Sequence, residues 1–393
     1  MLDQLLREFV DGGRAAGVSA LVCDYGRESA FAARGHADMA ARRPFERDTL
    51  CRIYSMSKIF TVVAFMTLVD AGAVRLDQPV ADFCPEYRYM RRAQRDPRSD
   101  AVEFVDARTP LTFRHLLIMT SGMPYENDAA DPVERAVHAQ LAPLTARMNA
   151  AEASDRPYTA AQLARELAAV PLMFEPGEMW HYGLSLDVLG GLIEIMTGMT
   201  LERYMQRAIF DKLSLKNTYF HVPDAERARL ARIYTLAGGA LAPWQRGEGM
   251  PFVDARALCS GGAGLVSTID DCARLGSMLA QGGALDGERV LSARSVELMR
   301  TDMLGEARLR SYNWLDERGY TYGLGVRVMR APGESEYAEP RGAFGWNGMA
   351  GTSLRIYPAE GRAAVFFIQL VPALHSRYLP AFVRAVNAVR RGA

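Results

Sequence analysis

Lysine is nearly absent from this chain of 393 residues. Only Lys58, Lys212 and Lys216 occur, and arginine supplies the rest of the 46 basic residues. Aspartate and glutamate also number 46, so the formal net charge is zero. Proteins that bind nucleic acids usually carry an excess of positive charge on one face, and the sequence has no basic stripe. We therefore expect no nucleic-acid partner.

Cysteine is also scarce, and its arrangement excludes a disulfide framework. The five cysteines are odd in number and scattered, and none forms a Cys-x-x-Cys pair. This pattern favours reduced thiols in the cytoplasm. No His-x-x-x-His sequence or acidic cluster has the character of a metal site, so we expect no metal and no cofactor.

Long hydrophobic runs are missing too. No apolar stretch has the length of a membrane span. The first residues have apolar side chains at helical spacing up to Gly12, without the basic leader and long apolar run of a signal peptide. We expect a cytoplasmic protein with no membrane partner. The hydrophobic content of 49% and charged content of 23% are those of an ordinary globular chain.

The order of the predicted elements indicates an α+β fold. Strand patterns occur near both ends of the chain, whereas the middle is rich in helical patterns. One antiparallel sheet built from both termini and flanked by helices explains this order. We predict a discontinuous sheet domain from residues 1–75 and 251–393, and a mainly helical inserted domain from 76–250. The charged segment near 88–105 is predicted to be a solvated surface loop.

A serine and a lysine stand three residues apart at a predicted strand-to-helix junction. Ser55 and Lys58 lie in the sequence Ser55-Met56-Ser57-Lys58, which opens an apolar helix. Residues three apart share one face of a helix, so the lysine amine can reach the serine hydroxyl. Burial disfavours the charged form of a lysine, which lets it act as a base, whereas arginine stays charged. The alternative is a solvated lysine beside two capping serines.

With three further motifs the sequence resembles the serine β-lactamase-related hydrolases, in particular class C β-lactamases and esterases with a β-lactamase fold. The resemblance covers nearly the whole chain, with its motifs in the family's order. It implies a β-lactamase/transpeptidase-like fold with Ser55 as the nucleophile. The matching segments are Ile53 to Lys58, Leu116 to Pro124, Phe174 to Gly177 and Ser260 to Thr268.

The resemblance also implies a second catalytic group. Tyr182 follows the Phe174 to Gly177 turn at the position of the family's catalytic tyrosine. A phenol beside an ammonium group is biased towards phenolate, so Tyr182 is expected to act as the general base. Taken alone, a tyrosine here is more often a packed aromatic residue. We expect His181 to support Tyr182 rather than to act as the base.

Two positions depart from the family pattern. The family has Tyr-x-Asn where this chain has Tyr182-Gly183-Leu184, and it has Lys-Thr-Gly or His-x-Gly where this chain has Trp346-Asn347-Gly348. Leu184 and Trp346 thus replace an amide-binding asparagine and a carboxylate-binding cation. These departures favour an uncharged, apolar ester over a β-lactam or peptide. Leu184, Trp346, Asn347 and Gly348 are the expected substrate-binding residues.

The resemblance places the oxyanion hole at two backbone amides. These are the N–H groups of Ser55 and Met349, and Gly348 is expected to allow the strand to approach the reacting carbonyl closely. The glycine-rich segment around Gly348 is alternatively a simple hairpin edge.

The sequence therefore favours a serine esterase that forms an acyl-Ser55 intermediate, with weak or no β-lactamase activity. An amidase of the β-lactamase or D-amino peptidase type, and an acyltransferase, use the same intermediate and stay open. A binding module that retains the fold is the non-enzymatic alternative. A Ser-His-Asp hydrolase is less favoured, because neither Gly183-Leu184-Ser185 nor Gly351-Thr352-Ser353 continues to Gly-x-Ser-x-Gly. The oligomeric state and the acyl length cannot be predicted from the sequence.

Overall fold

The structure is a computed structural model of the chain. It describes residues 2–125, 131–150, 158–244, 252–312 and 318–389, and for residues 147–150 it describes the backbone alone. No helix in these ranges is long and apolar enough to cross a membrane.

The helices are spread along the whole chain and are concentrated in its middle. A π-helical turn, Gln206–Phe210, joins the seventh helix to the eighth. The helices are α1 Leu2–Asp11, α2 Ser57–Asp70, α3 Phe113–Leu117, α4 Pro132–Ala150, α5 Ala160–Leu167, α6 Ser185–Thr197, α7 Leu201–Met205, α8 Asp211–Leu213, α9 Ile269–Ala280, α10 Ala293–Met299, α11 Gly305–Leu309 and α12 His375–Ala388.

The strands form one large sheet and four small two-stranded ones. The large sheet is antiparallel throughout, in the order β12-β13-β14-β15-β16-β1-β2-β3. The strands are β1 Gly17–Asp24, β2 Arg27–Asp38, β3 Arg43–Pro44, β4 Cys51–Arg52, β5 Arg91–Arg95, β6 Val102–Asp106, β7 Tyr234–Ala237, β8 Ala240–Pro243, β9 Val266–Ser267, β10 Ala284–Leu285, β11 Glu288–Arg289, β12 Tyr320–Tyr322, β13 Arg327–Met329, β14 Phe344–Asn347, β15 Ser353–Tyr357 and β16 Arg362–Ile368.

The two ends of the chain meet in the centre of this sheet. The N-terminal strand β1 pairs with the C-terminal strand β16, and Val18 lies opposite Ile368. Every residue of β1 is buried. Successive side chains of a strand point to opposite faces, so Ala20 packs in one apolar cluster with α1 and α12, whereas Leu21 packs in the other with α2 and α9. The predicted α+β sheet from both termini is confirmed.

Two sequence predictions concern the middle of the chain. The charged segment near 88–105 is a hairpin of β5 and β6 rather than an irregular loop, although most of its side chains are solvated as predicted. Ala93 anchors this hairpin because it is buried and its N–H donates to the Leu172 carbonyl at 2.7 Å. The division at residues 76–250 stays a prediction; within it, Tyr234 of β7 forms a bridge with Leu370 beside the large sheet.

Candidate active site

Ser55 lies on a single 3-10 turn, Tyr54–Met56, that leads from β4 directly into α2. The strand β4 pairs with β9, and the Ile53 N–H donates to the Leu265 carbonyl at 3.0 Å. Tyr54 has a φ of +43°, a conformation that costs energy in a residue with a side chain. The strand pairing therefore fixes a sharp turn immediately before the nucleophile predicted from the sequence.

Lys58 is fully buried and faces Ser55, as the Ser-x-x-Lys spacing predicts. Its Nζ lies 3.4 Å from the Ser55 Oγ. The same Nζ donates to the Gly262 carbonyl at 2.8 Å and contacts the Tyr125 hydroxyl at 2.8 Å. A buried amine held by three oxygen atoms has a fixed position, so its distance from the serine is set by the fold.

Two tyrosine rings enclose this amine. The Lys58 Nζ lies 4.8 Å from the centre of the Tyr182 ring and 5.3 Å from that of Tyr125. The two rings are themselves 5.5 Å apart. The structure thus brings together Ser55, Lys58 and Tyr182, the three predicted catalytic residues, and it adds Tyr125.

The sequence reasoning missed Tyr125. Its position directly after the Leu116 to Pro124 motif was the available signal, because a family motif at an active site makes its neighbours candidates. Burial is the main cause that raises the pKa of Tyr125 well above its ordinary value, and the negative charge of Asp187 is the second. Tyr125 is therefore a phenol at neutral pH, able to donate a hydrogen bond but unsuited to accept a proton.

Trp346 contacts Tyr182 directly. Its indole N–H donates to the Tyr182 hydroxyl at 3.2 Å, and the two rings are 5.5 Å apart. Trp180 stacks on Tyr182 as well, at 6.2 Å. The Tyr182 hydroxyl thus receives a hydrogen bond from β14, a strand of the large sheet.

The end of β14 lies against the nucleophile turn at Gly348. A Cβ atom at this position would lie 2.3 Å from the Ile53 carbonyl oxygen and 2.2 Å from the Thr352 Oγ1. Only glycine fits such an approach of two backbone segments. The next residue, Met349, is 44% exposed and lines the cavity beside Ser55. The two amides expected to form the oxyanion hole therefore belong to adjoining segments of one cavity.

Asn347 presents a free donor. Its Oδ1 accepts from the Arg327 guanidinium at 3.0 Å and from the Ser353 hydroxyl at 2.8 Å. Because a guanidinium only donates, these bonds fix which end of the amide is oxygen. The Nδ2 atom is buried and has no hydrogen-bond partner among the described residues. Since Asn347 also lines the cavity, Nδ2 is a candidate contact for an acceptor atom of a substrate.

The cavity at Ser55 has a volume of about 1410 Å³. Its lining includes the aromatic residues Tyr54, Tyr125, Trp180 and Tyr182 as well as charged residues such as Arg318. This combination suits a large, mostly apolar ligand with a few polar groups.

The remaining predicted site residues occupy different places around this cavity. His181 lines it, and burial lowers the pKa of its imidazole. Leu184 and Trp346 are buried and are not among the described residues that line the cavity. Their direct contact with a substrate stays a prediction.

One group of side chains in the described ranges has the composition of a metal site. Glu202, His221 and Cys259 each place one ligand atom within 4.8 Å of the others. The Nε2 of His221 lies 3.1 Å from the Ala257 carbonyl, which can only accept, so this nitrogen carries the hydrogen. None of the three is among the residues that line the cavity at Ser55. The absence of a metal or cofactor from the chemistry stays a prediction.

The antiparallel sheet, the buried Ser-x-x-Lys pair and the adjacent tyrosine define a class of protein, the serine hydrolases of the β-lactamase fold. A family model described as Beta-lactamase matches residues 2–387. The chain belongs to the Beta-lactamase family, and the resemblance found in its sequence is confirmed.

Individual relatives span almost the whole chain. Protein Rv1367c of Mycobacterium tuberculosis (strain ATCC 25618 / H37Rv) is 31% identical over 376 residues, which cover 94% of this chain and 89% of that protein. Esterase EstB of Burkholderia gladioli is 30% identical over 382 residues, which cover 92% of this chain and 86% of EstB. The solved structure of EstCE1, a hydrolase with promiscuous acyltransferase activity, has a TM-score of 0.79 and 25% identity, and the match covers 98% of this chain and 97% of EstCE1.

Proposed function

We propose that the protein is a serine esterase that hydrolyses carboxylic esters through an acyl-Ser55 intermediate. The observation that carries this proposal is the fully buried Lys58, whose amine lies 3.4 Å from the Ser55 Oγ and 4.8 Å from the ring centre of Tyr182. A binding protein has no need of a buried amine beside a serine, because burying it is costly. The similarity to esterase EstB supports the same activity.

In the first half of the reaction, the Ser55 Oγ attacks the ester carbonyl carbon and its proton passes to the Tyr182 oxygen. The carbonyl π electrons move to oxygen, and the resulting oxyanion accepts hydrogen bonds from the N–H groups of Ser55 and Met349. The intermediate then collapses and breaks the bond to the alcohol oxygen. Tyr182 returns the proton to that oxygen, and the alcohol leaves.

In the second half, a water molecule takes the place of the alcohol. Tyr182 accepts one of its protons while the water oxygen attacks the acyl carbon. Collapse of the second intermediate releases the carboxylic acid, and the proton returns to the Ser55 Oγ. Lys58 acts throughout by stabilising the deprotonated state of Tyr182 and by holding the Ser55 hydroxyl in place.

The substrate is proposed to be an ester without a charged group near the reacting carbonyl. Leu184 and Trp346 replace the asparagine and the cation of the family pattern, so a β-lactam would lose partners for its amide and carboxylate. An unsatisfied buried polar group costs about 1–3 kcal/mol, and a charged group costs more. Two such losses imply a preference for esters of about 100-fold or more.

Acyl transfer to an acceptor alcohol is the second candidate function. The cavity, at about 1410 Å³, exceeds the roughly 300–1,000 Å³ typical of sites for drug-sized ligands, so it has room for a bulky acceptor beside the acylated serine. EstCE1 is described as combining the two activities. Hydrolysis of β-lactams or D-amino peptides, and ligand binding without catalysis, are the less favoured alternatives. The cytoplasmic location also remains a prediction.

The test combines covalent labelling with turnover. We expect a fluorophosphonate probe to label Ser55 in peptide mass mapping, and we expect p-nitrophenyl esters of short and aromatic acids to be cleaved much faster than nitrocefin. Ser55→Ala should abolish both the labelling and the turnover, while its folding stays intact, because the Ser55 hydroxyl makes a long contact of 3.4 Å with the Lys58 Nζ and α2 has no side-chain cap to lose. A wild-type protein that neither labels nor turns over would support the binding module. Faster product formation with added alcohol acceptors would support acyl transfer.

A second variant tests the general base. Tyr182→Phe retains the ring contacts but removes the proton carrier, so kcat should fall about 100-fold or more while thermal stability changes little. A rate close to that of the wild type would assign the base role to Lys58 alone.

A further inference from the structure

Asp187 is a buried carboxylate beside the catalytic residues to which the proposed mechanism gives no role. It lies in the first turn of α6, five residues after Tyr182, and it is 3% exposed. Its Oδ1 accepts from the Ser260 hydroxyl at 2.5 Å and from the Gly262 N–H at 3.1 Å. Its Oδ2 is buried.

Gly262 links this carboxylate to Lys58. The N–H of Gly262 donates to Asp187, and the carbonyl of the same residue accepts from the Lys58 Nζ at 2.8 Å. A Cβ atom at Gly262 would lie 2.2 Å from the Asp187 Oδ2, so the backbone packs directly on the carboxylate. Asp187 therefore fixes the backbone segment that holds the catalytic amine.

Tyr125 is a second link. Its hydroxyl is the other close partner of the Lys58 Nζ, at 2.8 Å. After burial, the charge of Asp187 is the largest cause that raises the pKa of Tyr125. The carboxylate thus acts on both groups that hold Lys58: on Gly262 through a backbone hydrogen bond, and on Tyr125 through its charge and a side-chain hydrogen bond.

A structural role alone accounts poorly for Asp187. Glu194, a carboxylate on the same helix with 9% exposure, accepts from the Ala161 N–H and the Leu201 N–H with its two oxygens, each at 2.8 Å. It thereby joins α6 to neighbouring helices with both oxygens satisfied. Asp187 instead acts on the catalytic cluster, because it is linked to Tyr125 by its charge and by a side-chain hydrogen bond.

We propose that Asp187 is a positioning residue that places Lys58 beside Ser55 and Tyr182 through two links, the Gly262 backbone and the Tyr125 hydroxyl. This inference rests on the proposed function. The titratable groups of the cluster are Lys58 from α2, Tyr125 from the segment after α3, Tyr182 from the segment before α6 and Tyr322 from β12.

Asp187→Asn is the sharpest test, because the asparagine oxygen can still accept from Ser260 and Gly262 while the negative charge is removed. Loss of a negative charge makes deprotonation of the neighbouring groups easier. The acid limb of the pH profile of kcat/KM for a p-nitrophenyl ester should therefore move to lower pH by about one unit. Glu194→Gln is the matched control: it is expected to lower stability without moving the limb.

Two further variants address the links themselves. If Asp187→Asn yields too little folded protein, Gly262→Ala displaces the carboxylate while keeping its charge, and it should lower kcat at least 10-fold with a smaller change in KM. Tyr125→Phe removes the group that Asp187 keeps protonated. In the Tyr125→Phe background, Asp187→Asn should move the acid limb less than in the wild type.

The outcomes separate this inference from the proposed function. Labelling and ester turnover of wild-type Ser55 test the function itself. If the wild type is active, Asp187→Asn moves the acid limb no further than Glu194→Gln does, and Gly262→Ala leaves kcat unchanged, Asp187 is not a positioning residue for the reaction. If Asp187→Asn moves the acid limb equally in the wild type and in the Tyr125→Phe background, Tyr125 does not link Asp187 to the reaction.

Discussion

The hydrogen bond from Trp346 to Tyr182 offers a direct test of whether Tyr182 reacts as a neutral phenol or as a phenolate. Trp346→Phe retains an aromatic ring in a site that is 1% exposed, and it removes the indole N–H that lies 3.2 Å from the Tyr182 oxygen. The substitution therefore changes the number of donors to the proposed base while leaving Ser55 and Lys58 in place.

The expected magnitude depends on the charge of the tyrosine. A hydrogen bond to a neutral group contributes about 0.5–1.5 kcal/mol, and one to a charged group about 1.5–3 kcal/mol. At about 1.4 kcal/mol per factor of ten, a neutral phenol implies a loss of about 2- to 12-fold in kcat/KM, whereas a phenolate implies a loss of about 12- to 140-fold. We expect the larger loss, because the proposed mechanism requires the deprotonated form of Tyr182.

The assay is the pH dependence of kcat/KM for a p-nitrophenyl ester. With one donor fewer, the deprotonated form is less stable, so the acid limb should move to higher pH in Trp346→Phe. The direction is opposite to that expected for Asp187→Asn. Trp180→Phe is the control, since Trp180 stacks on Tyr182 and its removal should alter KM without moving the limb. A loss below about twofold in Trp346→Phe, with an unmoved limb, would refute a phenolate base.

The remaining predictions concern the other groups of the site and one cap. Lys58→Arg should abolish ester turnover although it retains a positive charge, because a guanidinium does not fit the space of a fully buried amine and cannot keep its three short contacts; turnover close to that of the wild type would show that a positive charge in this region is enough. Asn347→Asp replaces the unpaired Nδ2 by an oxygen and gives Arg327 a charged partner, so kcat/KM should fall about 10-fold while the midpoint of urea unfolding does not decrease; an unchanged kcat/KM would show that Nδ2 does not contact the substrate. His115 accepts the Thr112 N–H with its Nδ1, and burial is the main cause that lowers the pKa of His115 from 6.5 to about 4. Since the unfolded chain takes up the proton first, stability should fall as the pH drops from about 6.5 towards 4, and His115→Gln, which can still form the capping pair, should reduce that dependence in urea titrations.

Much of the fold and the contact between Ser55 and Lys58 could be predicted from the sequence because the signals are local. Apolar spacing predicts α1 and the buried strands, and an all-apolar run predicts α2. The Ser-x-x-Lys spacing places Ser55 and Lys58 on one face of the same turn, whatever the rest of the chain does. The catalytic roles of these two residues were predicted from the scarcity of lysine and from the motifs that occur in the family's order. Tyr182 was found in the same way, from a motif a few residues away.

The contacts that tune these residues could not be predicted in this way, because they join segments far apart in the chain. Lys58 meets Gly262 across 204 residues, Tyr182 meets Trp346 across 164, and Asp187 meets Gly262 across 75. Trp346 illustrates the difference. In the sequence it occupies the position where the family has a cation that binds a carboxylate. In the structure its indole N–H donates a hydrogen bond to Tyr182, the proposed base.

The sequence by itself thus determined the chemistry available to this protein: a serine, a lysine three residues after it, a tyrosine, and a sheet completed by both termini. Only the tertiary structure decided how these groups are charged and held. Burial removes water from Lys58 and Tyr125, and the packing of α6 against the Gly262 segment places the Asp187 carboxylate beside them. Charge interactions in such a dry site depend on distances between residues from different elements, and no local pattern of side chains encodes those distances.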